Sequence, residues 1–182
     1  MNIAVYCASV EGLGENIAST ARELGQWIGH NGHTLVYGGA NAGLMHVVAQ
    51  AAHDSGAHVV GVLPEFFRHR LDPVVDEVIF TRDLNDRKAE MYSRSEVFVV
   101  LPGGLGTIDE WIATVSHISV DKSPRRVVVM NLNGMYDNMV EQMRVTTQSP
   151  FSRGIDFTAL SLVASNIPHM IEILNEIASR QQ

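Results

Sequence analysis

The chain has 182 residues, 46% of them hydrophobic, which is ample for one domain with a real core and short for two. With 13 basic against 20 acidic residues the formal net charge is −7, a balance that argues against nonspecific binding to nucleic acid or to anionic membrane but not against a small phosphorylated ligand held by local N–H groups. The single cysteine, Cys7, has no internal disulfide partner; Met1-Asn2-Ile3 lacks a signal peptide's basic start, and no apolar run reaches membrane-span length, so the expectation is a cytoplasmic protein with one domain over residues 1–182.

Ile3 to Cys7 reads as a first strand, which makes Cys7 a buried, inert thiol. A loop from Ala8 to Gly14 leads into a helix from Glu15 to about His30, with apolar spacing at Ile17, Ala21, Leu24 and Ile28 and a stop at Gly32. Thr34 to Tyr37 is a short strand, Gly38 to Gly43 a glycine turn, and Leu44 to Ser55 a second helix. His58 to Leu63 is the third strand, and Pro64 to Pro73 mixes basic, aromatic and proline residues without periodicity, which predicts an irregular segment near the site. Val78 to Phe80 is a short strand, and Leu84 to Ser95 a helix carrying Arg87 and Lys88. Beyond the next strand and helix come a strand from Arg126 to Met130, a helix from Met135 to about Thr147, a loop from Gln148 to Phe157, a strand near Leu160 to Ala164 and a last helix from Ile167 to Ser179. Recurring strand, turn and helix predict an α/β fold: one Rossmann-like, doubly wound parallel sheet of about seven strands with helices on both faces. Ligands in such sheets lie outside the carboxyl ends of the strands, so the loops 8–14, 38–43 and 102–107 are expected to converge on one crevice.

The stretch from Glu96 to Trp111 organises the chain. Val97 to Leu101 is apolar without alternation, as in a central strand buried on both faces. Pro102 ends the pairing, and Gly103, Gly104 and Gly106 allow bare backbone to approach a ligand. Thr107 reads as the N-cap of a helix running to about Ser119, so free N–H groups and the helix dipole would meet at one anion-binding spot. Two readings of Glu110 stand side by side. In one, Thr107-x-x-Glu110 is a capping box; in the other, Glu110 faces the reacting carbon of a substrate whose phosphate the loop holds. Arg87 is open in the same way, between a solvated helix cation and a group that grips the nucleotide or Glu110.

Familiar fingerprints fail. In the dinucleotide pattern that Gly12-Leu13-Gly14 begins, Ile17 takes the third glycine position; in the one that Gly104-Leu105-Gly106 begins, Asp109 does, and no lysine follows Gly106 as a P-loop requires. No metal motif and no serine-hydrolase elbow is present, and the eight histidines, His46 and His53 among them, read as solvated or core residues. No cofactor is called for.

Pro102 to Glu110 matches P-G-G-x-G-T-x-x-E and resembles the signature of the LOG family, cytokinin riboside 5′-monophosphate phosphoribohydrolases long mislabelled as lysine decarboxylases. Arg87-Lys88-Ala89-Glu90-Met91 is similar to that family's R-K-A-x-M block, Tyr37 to Met45 to its Y-G-G-x-x-x-G-L-M turn, and Tyr6-Cys7-Ala8-Ser9 to its first strand end. The resemblance implies cleavage of the N-glycosidic bond of a purine nucleoside 5′-monophosphate, with Arg87 and Glu110 as the catalytic pair. It implies a substrate-binding set of Lys88, Gly103, Gly104, Leu105, Gly106, Thr107, Ile108, Asp109 and Ser116, with Ser9, Gly38, Gly39 and Met91 from the flanking blocks. It also implies a homodimer with sites near the subunit interface. A non-catalytic nucleotide-binding module is the alternative. The family's acidic residue after the third strand has no clean counterpart in Glu65 to Arg70, and His117, on the face of Glu110, reads as packing rather than base recognition.

Overall fold

A computed structural model describes residues 1–180. Seven parallel strands form one sheet in the order β4-β3-β2-β1-β5-β6-β7. They are β1 (Asn2–Tyr6), β2 (Thr34–Tyr37), β3 (His58–Pro64), β4 (Glu77–Thr81), β5 (Val97–Val100), β6 (Arg126–Met130) and β7 (Ser161–Ala164). The helices are α1 (Glu15–His30), α2 (Gly43–Asp54), α3 (Leu84–Arg94), α4 (Leu105–Asp121), α5 (Asp137–Thr147), the short α6 (Phe157–Leu160) and α7 (Ile167–Ser179). The expected doubly wound sheet is present, with β5 buried at every residue.

Strand alternation sorts the helices onto two faces. Ile3, Val5, Leu35 and Val99 point to the side where Leu24 and Ile28 of α1, Val48 and Ala52 of α2 and Met170 and Leu174 of α7 pack. Ala4, Tyr6, Val36, Phe98 and Val100 point to the other side, against Met91 of α3, Trp111 and Val115 of α4 and Met143 of α5. Each face is covered, which is why the central strands carry no polar alternation. The chain winds outward from β1 to β4 and then returns to β5 beside β1. The connections leaving β1 and β5 therefore diverge, and a crevice opens between them at the carboxyl edge.

Several boundaries depart from expectation. The segment after β3 is ordered into a 3-10 helix, Glu65–Arg70, and is tied to the glycine turn by the Ala40–Leu71 bridge and by Asn41 N–H donating to Arg70 O at 2.8 Å. Arg68 lies over the Phe80 ring at 3.7 Å and bonds Glu65, so aromatic and ionic contacts replace helical periodicity there. Helix α5 begins at Asp137 rather than Met135, and the loop 148–157 contains a 3-10 turn at Pro150–Ser152. Among the described residues no helix is long and apolar enough to cross a membrane.

Candidate active site

The three expected loops do converge, through backbone hydrogen bonds. Ala8 N–H donates to Pro102 O at 3.1 Å, and Leu44 N–H donates to Ala8 O at 2.9 Å, so the first loop is clamped between the turn after β5 and the start of α2. Between them lies a cavity of about 290 Å³. Ser9, Gly38, Gly104, Gly106, Thr107 and Asp109 line it together with Arg87, Lys88 and Glu110.

Two glycine turns lead into helices here, and only one has its N–H groups free. At α2 the Glu11 carboxylate accepts from Gly43 N–H at 2.9 Å, and Ala8 O takes the next N–H, so the chain itself caps that terminus. At α4 the cap is Gly104, in an extended conformation, with no side-chain cap and no acidic residue in the first turn. The N–H groups of the first turn have no partner within the helix, and Gly106 and Thr107 face the cavity. Partial positive charge therefore collects on the cavity floor, as an anion site requires.

The helix start also decides the reading of Glu110. Helix α4 begins at Leu105, two residues before the expected cap, because Gly104 itself supplies the extended N-cap backbone. Thr107 is thus inside the helix, and its hydroxyl packs against Gly103: a Cβ on Gly103 would lie 2.1 Å from Thr107 Oγ1. No capping box forms. Glu110 instead turns toward α3, where its Oε1 accepts from Arg87 Nη2. The side chains of the pair are 8% and 16% exposed. Burial pushes the Arg87 guanidinium down from its ordinary value, while neighbouring Tyr6, Asp109 and Cys7 act in the opposite direction. One residue along each helix, Lys88 Nζ meets Asp109 Oδ2 at 2.7 Å, with Asp109 59% exposed at the mouth. Two ion pairs thus join α3 to α4, one dry and one wet.

Local sequence explains why Arg87 is held there. Asp83 caps α3 by accepting from Asn85 and Asp86 N–H, which fixes the first turn. Met91, one turn beyond Arg87, is fully buried in the core and anchors the same helix face. Gly38 leaves room at the other end: a Cβ there would meet Arg87 Nη1 at 3.2 Å and Met45 Sδ at 3.0 Å. Behind Glu110, Thr114 Oγ1 and Tyr6 Oη share a hydrogen bond of 2.9 Å.

Several expected binding residues lie elsewhere. Met91 is core: it shares the sheet-facing side of α3 with Arg87 but stands one turn, about 6 Å, farther along the helix and away from the cavity. Gly39 abuts Gly61, and its carbonyl accepts from Asp72 N–H. Gly103 supports Thr107 rather than lining the cavity, Leu105 is 86% exposed, and Ile108 packs against the core of its face. Ser116 lies in a separate groove with Ile112 and Met139, since six residues carry it about 240° round α4 from Glu110. His117 is exposed and stands edge-on to Tyr92 at 4.9 Å between centroids, a packing contact as expected. The Cys7 thiol, pushed up to about 12 by burial, lines the wall as an inert group. Val10, Met45 and Leu84 also line the cavity and were not anticipated; their only signal is adjacency to Ser9, to the glycine turn and to Arg87. His46, its side chain 37% exposed, bonds the buried Asp72 at 3.0 Å, a partly solvated histidine on a carboxylate invisible to motif reading.

The chain is similar in sequence and in fold to known proteins. A family model described as "Possible lysine decarboxylase" matches residues 45–174. Two cytokinin riboside 5′-monophosphate phosphoribohydrolases of Arabidopsis thaliana are similar to the chain: one is 33% identical over 90% of this chain and 75% of its own length, the other 30% identical over 96% and 82%. Among solved structures, the molybdenum cofactor carrier protein of Chlamydomonas reinhardtii superposes with a TM-score of 0.74 at 25% identity, covering 98% of both chains. The molybdenum cofactor binding protein of Rippkaea orientalis does so with a TM-score of 0.73 at 24% identity, over 97% of this chain and 96% of its own, a likeness of fold.

Proposed function

We propose, from the premise that this chain belongs to the LOG family of cytokinin riboside 5′-monophosphate phosphoribohydrolases, that it hydrolyses the N-glycosidic bond of a purine nucleoside 5′-monophosphate, AMP or an N6-substituted AMP, to free base and ribose 5-phosphate. The observation that carries the reading is the buried Arg87–Glu110 pair beside a cavity floored by the free N-terminus of α4.

The phosphate sits on the N–H groups of the first turn of α4, and Lys88 turns from Asp109 to meet it. Binding energy from this remote group sets the pentose against Glu110. As the C1′–N bond breaks, its electron pair leaves with the base and positive charge grows on C1′ and the ring oxygen. The Glu110 carboxylate stabilises that charge and takes a proton from the water whose oxygen bonds C1′; that proton ends on the nitrogen of the departing base, which gives the free base and restores the carboxylate. Arg87 fixes the carboxylate's direction, and the guanidinium keeps its charge where a lysine could lose it. A cytoplasmic homodimer belongs to the same reading. It is supported by the lack of a disulfide partner for Cys7 and by Leu105, Ile112 and Val120 exposed along the outer side of α4.

A second reading has one observation in its favour, the likeness to a carrier protein over the whole chain. A carrier needs the anion cradle and has no use for a dry Arg–Glu pair. The test is ribose 5-phosphate release from AMP and N6-substituted AMP by the wild type and by Glu110→Gln. Hydrolysis predicts release by the wild type, loss by orders of magnitude in the variant, and nucleotide affinity preserved in both. Tight binding without release by the wild type would favour the carrier.

A further inference from the structure

We infer that Tyr136, outside every loop that lines the cavity, is a positioning residue for the phosphate grip: its hydroxyl fixes the peptide plane that aims the Gly104 N–H at the anion. The inference rests on the reading of the cavity as a nucleotide site.

Tyr136 precedes α5 and is 1% exposed. Its ring stands edge-on to Trp111 at 5.4 Å between centroids, and Trp111 is itself tied by Nε1–H to Ser161 Oγ at 3.0 Å. Its backbone N–H donates to Asn131 Oδ1 at 2.8 Å, and Asn131 Nδ2 donates to Asp137 Oδ1 at 2.7 Å. The residue is therefore held at both ends. Its hydroxyl reaches the underside of the turn after β5, where its one proton is shared between Leu101 O at 2.9 Å and Gly103 O at 3.4 Å. Burial pushes the phenol up to about 12, so it stays a donor at neutral pH.

The direction of the Gly104 N–H follows from covalent geometry. In a trans peptide the C=O and N–H point opposite ways across one plane. The Gly103 carbonyl is drawn down toward Tyr136, so the N–H of Gly104 in the same plane points up, on the side where Gly104 lines the cavity. Glycine on both sides of that peptide makes its rotation cheap, and a rotated plane would present a carbonyl oxygen to the phosphate. A buried hydroxyl beneath the turn is what opposes the flip.

The test is Tyr136→Phe, which keeps the ring and removes the donor. Expected are a KM for AMP raised roughly five- to ten-fold, as for loss of one hydrogen bond, and a kcat within about two-fold of wild type. Affinity for inorganic phosphate and ribose 5-phosphate, read by calorimetry, should fall by the same factor while adenosine affinity holds. Equal losses for phosphate and adenosine, or a fall in kcat at constant KM, would mean general loosening and overturn the inference. A wild type that neither binds nor cleaves AMP removes the proposed function and this inference with it. A wild type that does both, with a Tyr136→Phe variant matching it in KM and phosphate affinity, overturns the role of Tyr136 alone. Should Tyr136→Phe not fold, 3-fluorotyrosine at residue 136 strengthens the donor in the same shape: a lower KM at constant kcat supports the inference, and an unchanged KM defeats it.

Discussion

The Arg87 guanidinium fills the space that a side chain at residue 38 would need: a Cβ on Gly38 would stand 3.2 Å from Arg87 Nη1 and 3.0 Å from Met45 Sδ. Both neighbours are ends of flexible side chains, so Gly38→Ala is accommodated by moving them. The cost falls on the direction of the guanidinium and through it on Glu110. The expected outcome is a kcat reduced about tenfold or more, with the melting temperature within a few degrees of wild type. Steady-state kinetics beside a thermal melt check it; a large fall in melting temperature with kcat unchanged would refute it.

Gly103→Ala meets a harder obstacle. The added methyl would lie 2.1 Å from Thr107 Oγ1 and 2.6 Å from Thr107 Cβ, so the first turn of α4 must shift. Overpacking of this kind costs about 1–3 kcal/mol. The same shift moves the N–H groups on the cavity floor, so loss of stability and a raised KM should come together. Denaturant unfolding and a KM measured on one preparation test the pairing.

Lys88 is expected to act on binding and to leave stability alone. Its partner Asp109 is more than half exposed, and such pairs contribute about 0–1 kcal/mol. Lys88→Met should therefore melt near the wild type. Loss of the cation proposed to meet the phosphate should raise KM for AMP about tenfold at nearly constant kcat, and should flatten the dependence of KM on ionic strength. A variant whose KM responds to salt as steeply as the wild type would argue that Lys88 does not meet the phosphate.

How much of this was legible depends on how local each feature is. The apolar run Val97 to Leu101 announced a central strand, and three glycines before a periodic helix announced the cradle. The start of α4 was misplaced because side-chain preference favours Thr107 as cap, whereas the backbone of Gly104 does the work. Met91 shares a short block and a helix face with Arg87, yet one turn along α3 carries it past the cavity into the core. Tyr136 lies more than 30 residues from the turn it supports and carries no motif, so only the folded contact reveals it. Segment 65–70 is held by side-chain stacking on β4, which has no period to read.

His33 makes stability depend on pH. Burial foremost, and then the Met1 amine, lower its pKa in the folded protein, while Glu96 pulls the other way. The unfolded chain therefore takes up the proton first, at about 6.5. The neutral ring's contribution is complete above that value and is lost as pH falls from it toward the lower folded pKa. Replacing His33 with Gln should reduce the fall in melting temperature between about pH 7 and pH 5, with little change at pH 8. An identical pH profile for both proteins would exclude this source.

The buried pair itself separates structure from chemistry. Arg87→Met leaves the Glu110 carboxylate in a site only 8% exposed without its partner, and breaking a buried pair in this way costs about 3–5 kcal/mol. For a chain of this size that corresponds to a fall in melting temperature of roughly 6–20 °C. Adding Glu110→Gln removes the stranded charge, so the double variant should melt above Arg87→Met alone. On the proposed reaction its activity should stay as low as that of Glu110→Gln, because the carboxylate proposed to stabilise charge at C1′ is gone. Recovery of stability without recovery of turnover is the signature of a pair kept for its reaction. If the double variant were no more stable than Arg87→Met, the carboxylate would not be desolvated, and the argument from burial would fail.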